Sequence, residues 1–149
     1  MSRGHRSVPR TADIALEAWA DSREECLAEA VRALVETFAD IGEAVPDGSV
    51  MIALAEETDE GLLGALLDEV VYQVEVPGRV AVDVSIDERT GVTRGQVEMR
   101  LATVPVGTVG HVGGSPTAVA VLGLRFGREA GMWHAHVVVD VYPRDRTFR

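Results

Sequence analysis

The chain has 149 residues, 46% hydrophobic and 26% charged, and its 14 basic against 24 acidic side chains give a net charge of -10. That length suits one domain with a real core, and that mixture belongs to soluble globular proteins rather than disordered or fibrous ones. Every basic residue is arginine, and so acidic a surface repels phosphate, which makes the chain a poor candidate for gripping RNA or DNA unaided.

No apolar run approaches the roughly 18 residues that cross a bilayer, and Met1-Ser2-Arg3-Gly4-His5-Arg6 leads into no signal-type apolar stretch. The expectation is a cytoplasmic protein with no membrane partner. Cys26 stands alone, which rules out an internal disulfide or a thiolate zinc cluster and fits a reducing compartment. The reading is a single domain over residues 1–149, with a core from about residue 8 to 142 and basic tails at 1–7 and 143–149. Arg3, Arg6 and Arg10 at one end, and Arg144, Arg146 and Arg149 at the other, are expected to be solvated.

In chain order, Asp13 to Trp19 alternates with a period of two and predicts a strand. Ser22 followed by Glu25 has the form of a capping box. Cys26, Leu27, Ala30, Val31, Leu34, Val35 and Phe38 then recur at helical spacing, predicting a helix from about Ser22 to Ala39. Asp47-Gly48 marks a turn, and Val50, Ile52 and Leu54 form a short alternating strand. Thr58 or Asp59 caps a second helix whose stripe is Leu62, Leu63, Leu66, Leu67, Val70, Val71 and Val74, stopped by Pro77-Gly78. Strands follow at Val80 to Ile86, Val92 to Ala102, Ala118 to Phe126 and Met132 to Val141, with hairpin-like turns at Thr90-Gly91 and Arg128 to Gly131. This order predicts an α+β fold with two helices on one face of a largely antiparallel sheet.

Two carboxylates carry the most chemical information. Asp13 heads the first strand and Asp140 interrupts the apolar run Val137-Val138-Val139-Asp140-Val141. An ionised carboxylate in such surroundings is costly unless a positive charge meets it, and if the two strands are neighbours one shared cation can serve both. Oxygen ligands suit calcium, magnesium or manganese. A turn carboxylate and an edge-strand carboxylate would account for the same spacing.

His134, His136 and Asp140 share a face of the last strand. Two histidines at i and i+2 can bind a transition metal, but with no third nitrogen or sulfur ligand in evidence they are expected to be cross-strand contacts on a half-wet face. The loop Gly107 to Ser115 lacks the strand-to-helix context of a phosphate cradle and reads as a surface loop. Cys26 lies on the first helix's apolar stripe as a small hydrophobe, and Asp68-Glu69 as a solvated helix side.

Three blocks together resemble the archease family. They are Arg10-Thr11-Ala12-Asp13-Ile14-Ala15-Leu16-Glu17-Ala18 with the helix Glu25 to Asp40; Leu62-Leu63-Gly64-Ala65-Leu66-Leu67-Asp68-Glu69-Val70-Val71-Tyr72; and Trp133-His134-Ala135-His136-Val137-Val138-Val139-Asp140-Val141. The resemblance implies one strand-helix-strand-strand module nested within another. It also implies a non-enzymatic accessory protein that promotes guanylylation and turnover of the GTP-dependent RNA ligase of tRNA splicing and RNA repair. A bound divalent cation, calcium in crystals of the family, is carried over to Asp13, Asp140 and Val141, the last through its main-chain carbonyl.

The chain departs from the family pattern in places. Arg10 replaces the motif histidine with a fixed cation able to pair with Asp13, which predicts weaker metal binding. Thr117 to Leu122 lacks the lysine, tyrosine and histidine of the family's run before the final hairpin, and Tyr142 to Arg149 extend beyond the closing aspartate. The alternative is a chaperone-like or protein-interaction module with structural aspartates. A small-molecule site or an independent enzyme finds no convergent polar set to support it.

Overall fold

The computed structural model describes residues 2–9, 14–88, 96–111 and 117–143. In chain order the elements are β1 (Gly4–Pro9), β2 (Ile14–Ala20), α1 (Arg23–Glu36), β3 (Ala39–Asp40), β4 (Gly48–Ala55), α2 (Asp59–Glu75), β5 (Arg79–Glu88), β6 (Gln96–Pro105), a 3-10 turn (Val106–Thr108), β7 (Gly110–His111), β8 (Thr117–Glu129) and β9 (Met132–Pro143).

Both helices begin where the sequence predicts, because each has a hydroxyl to satisfy an otherwise unpaired amide. Glu25 N–H donates to Ser22 Oγ at 3.1 Å, and Gly61 N–H donates to Thr58 Oγ1 at 2.9 Å. Acidic residues in each first turn, Glu24 and Glu25, then Asp59 and Glu60, face the positive end of the helix dipole. α1 stops at Thr37, whose hydroxyl donates to Leu34 O at 2.7 Å. α2 stops ahead of Pro77 and Gly78, the latter at φ 74. No helix among the described residues is long and apolar enough to cross a membrane.

The class is α+β, and every strand pairing among the described residues is antiparallel. The strands are shared between two principal sheets rather than one: a four-stranded sheet in the order β1-β2-β9-β8 and a three-stranded sheet in the order β4-β6-β5, with β3 and β7 as a separate ribbon. The chain path explains this. β4-α2-β5-β6 is a complete strand-helix-strand-strand unit inserted between α1 and β8 of the outer unit β2-α1-β8-β9. In both units the last strand sits between the first and the second. α1 packs on β1, β2 and β9 and reaches β5, while α2 packs on β8, β5 and β4, so the helices tie the two sheets together.

The apolar stripes meet in this layer. Leu27, Val31 and Leu34 of α1, and Leu62, Leu63, Leu66, Leu67 and Val70 of α2, are essentially without exposure, as are Val80, Val97, Met99 and Leu101 from the inner sheet. Burying a side chain of that size is worth about 1.5–3 kcal/mol each. Cys26 is fully buried among them, and Asp68 is exposed, as the helical pattern predicts.

Three expectations need correction. From Gly4 onward the basic segment is a strand rather than a tail: Gly4–Pro9 form β1, paired with β2 from Gly4↔Trp19 to Pro9↔Ile14, with the Arg3 and Arg6 side chains exposed as expected and Arg6 Nε donating to Glu17 at 2.6 Å. Pro143, placed in the other tail, closes β9 opposite Thr117. The glycine-rich loop opens as a 3-10 turn, buries Val109 and pairs Gly110 and His111 with β3. Residues 112–116 of that loop, the Thr90-Gly91 turn, Arg10, and Arg144, Arg146 and Arg149 lie outside the described residues.

Candidate functional site

The parity of β9 sets which side chains are available for chemistry. Ala135, Val137 and Val139 are buried against the helices, so His134, His136, Val138 and Asp140 share the opposite, outer face. On that face β2 contributes Ala15, Glu17 and Trp19, since Leu16, Ala18 and Ala20 point into the core.

Asp140 is half-buried near the end of β9, opposite Ala120 of β8. One step away, β8 carries a bulge between Val121 and Gly123, which leaves Leu122 exposed. Bulges of this kind bend a strand and re-aim the residues beside them. The main chain of Val141 pairs opposite Val119. β2 and β9 are neighbours, as a shared cation requires, and their last described pair is Ile14↔Val139. Asp13 itself lies outside the described residues, so the structure places Asp140 and Val141 but not the first carboxylate.

Farther along the same face, the structure supplies what the histidine pair lacked. Glu129, the last residue of β8, brings a carboxylate to His134 and His136, and the three ligand atoms all lie within 4.8 Å of one another. The two imidazoles are stacked, 6.3 Å between ring centroids. Asp140 shares their face but not their cluster. The missing signal was available in the turn: two residues, Ala130 and Gly131, separate Glu129 from Met132, so a two-residue hairpin loop brings Glu129 to the histidine side of the sheet.

A third polar group lies on the core side. β1 points His5 toward α1, where Nδ1 is 2.6 Å from Glu29 Oε1 and Nε2 is 3.0 Å from Glu36 Oε1. Burial opposes a charge on His5 more than any other single effect. The hydrogen bonds that His5 donates to both carboxylates and their negative charges together outweigh it, and the pKa rises above 6.5. Glu29, with its side chain only 8% exposed, also accepts from Arg32 Nη1 at 3.0 Å and lies 3.6 Å from Arg3 Nε. A carboxylate so far from water is tolerable because several cations surround it. Cys26 Sγ sits 3.6 Å from Ala18 O, and burial, with the nearby Glu29 charge, pushes its thiol up to about 12. That excludes a nucleophilic role.

Comparison with known proteins adds the lineage. The profile of the archease protein family matches residues 5–141. A probable protein archease of Mycobacterium tuberculosis is 37% identical over 140 residues, covering 94% of this chain and 76% of the relative. A protein archease of Methanopyrus kandleri is 29% identical over 143 residues, covering 90% and 96%. The solution structure of Methanobacterium thermoautotrophicum protein 1598 superimposes with a TM-score of 0.65 at 17% identity, covering 92% of this chain and 98% of that one, and so shares the fold. With nested modules, capped helices and an acid-bearing closing strand all in place, the chain belongs to the archease family.

Proposed function

We propose that this chain is a cytoplasmic, metal-binding accessory protein that promotes the guanylylation and turnover of a GTP-dependent RNA ligase. Archease family proteins are accessory proteins rather than enzymes, and membership implies a role exercised on a protein partner. An acidic surface, net charge -10, complements a partner that must itself be basic to hold RNA.

The observation that carries the metal reading is the β2–β9 register. Ile14 faces Val139, and in the sequence Asp13 directly precedes the one and Asp140 directly follows the other. Two carboxylates with the main-chain carbonyl of Val141 are an all-oxygen donor set, which fits calcium, manganese or magnesium. A bound cation would keep both carboxylates ionised where one alone would tend to take up a proton.

The test measures ligase guanylylation with wild-type, Asp13→Ala and Asp140→Ala proteins, beside calcium and manganese titrations of each. The expected result is stimulation by the wild type, its loss in both variants, and a one-site isotherm that Asp140→Ala abolishes. Unchanged stimulation by both variants would eliminate the metal mechanism, and no stimulation by the wild type would eliminate the ligase role.

A further inference from the structure

We infer that Glu129, His134 and His136 form a second, independent metal site, for a divalent transition ion of the zinc class, on the outer face of the four-stranded sheet. The period of two along β9 presents both imidazoles on that face, where they stack at an interplanar angle of 11°. Gly127 of β8 stands opposite His134, and a Cβ built there would meet nothing within 4 Å. Over that gap the Glu129 carboxylate leans back along its own strand to within 3.9 Å of His136 Nε2.

The distances suit an ion between them. Zinc bonds of about 2.0–2.1 Å in tetrahedral geometry separate neighbouring ligands by about 3.4 Å. The three ligand atoms already lie within 4.8 Å of one another, so rotations about side-chain bonds suffice to close the set. The half-exposed setting permits those rotations without repacking the core.

The surroundings match what metal-bound histidines need. With Nε2 turned to the ion, His136 Nδ1 faces Glu17 Oε2 at 3.9 Å, and Glu17 is itself held by Arg6 Nε at 2.6 Å. A carboxylate that closes from this distance onto the far nitrogen would fix the ring's orientation and raise its basicity toward the metal. Arg125, opposite His136 on β8, is exposed. Two nitrogens and one carboxylate oxygen favour zinc, nickel or copper(II) over calcium, and leave a fourth position for water or a partner's side chain. Asp140 is four residues farther along β9, about 13 Å at roughly 3.3 Å per residue, so the two sites are separable.

The experiment is calorimetric titration of the full chain with zinc chloride in the presence of excess calcium, together with the visible spectrum of the cobalt(II)-loaded protein. One zinc per chain and tetrahedral cobalt bands are expected. His134→Ala, His136→Ala and Glu129→Gln should each weaken zinc binding about 10- to 100-fold, while Asp140→Asn leaves it unchanged. Circular dichroism of each variant distinguishes loss of ligands from loss of fold. No zinc uptake by the wild type, or unchanged uptake by the folded His134→Ala/His136→Ala double variant, would overturn the site. Ligase stimulation plays no part in this readout, so its outcome is independent of the proposed function.

Discussion

His5 on β1 holds Glu29 on α1 through a 2.6 Å contact, and this pair fastens an N-terminal strand to the helix layer. Because the folded-state pKa of His5 is raised above 6.5, the folded protein binds its proton more tightly than the unfolded chain does. The stabilisation is fully present below about pH 6.5 and is lost as pH rises through the elevated folded-state value. Urea unfolding at about pH 5.5 and about pH 9 should show the wild type losing stability across that interval, over and above the change seen in His5→Gln. Parallel pH profiles for the two proteins would show that His5 has no such role.

Leu67 is fully buried on α2, facing the layer that joins the two sheets. Leu67→Ala should cost about 2–5 kcal/mol, the transfer of the lost carbons plus the cavity they leave. Denaturant unfolding measures this directly. Asp68→Ala, one position along and exposed, should change stability by less than about 0.5 kcal/mol.

The β8–β9 hairpin turns on Ala130 and Gly131, both at positive φ, 54 and 84. Alanine pays a steric penalty there that glycine avoids, so Ala130→Gly should raise stability by about 0.5–1 kcal/mol, visible as a higher Tm. Gly131→Ala should lower it by a similar amount.

The Ser22 and Thr58 hydroxyls each satisfy one amide at a helix start. Ser22→Ala and Thr58→Ala should each cost about 1 kcal/mol, and the double variant about the sum, since the caps serve different helices. A double-variant loss well short of additive would indicate that the two helices share a capping rearrangement.

Both helices were legible because the information that makes them is local: a capping hydroxyl, a stripe every three to four residues, and a Pro-Gly stop. β1 was not. Its sequence, Gly-His-Arg-Ser-Val-Pro, has little apolar alternation, and its inward residue His5 is stabilised by Glu29, which lies 24 positions away. A polar inward residue reads as a surface residue until its distant partner is known. The division into two sheets is not legible for a related reason, since strand pattern reports which face is buried but not which strand is the neighbour. Within the candidate site, the shared face of His134, His136 and Asp140 follows from the period of two, whereas the adjacency of β2 and β9 stood in the sequence only as a condition, which the pairing meets. Glu129 is not legible as a partner because its approach to His136 depends on the hairpin register and on the open space above Gly127.

The seclusion of Cys26 has a practical corollary. Enclosed on every side and with its thiol pushed up to about 12, it should ignore maleimides and other alkylating dyes at neutral pH while the fold is intact. A cysteine introduced at Val45, which is 81% exposed, would therefore take up a fluorophore at one defined position with the native thiol left in place, giving a ready reporter for encounters with a partner protein.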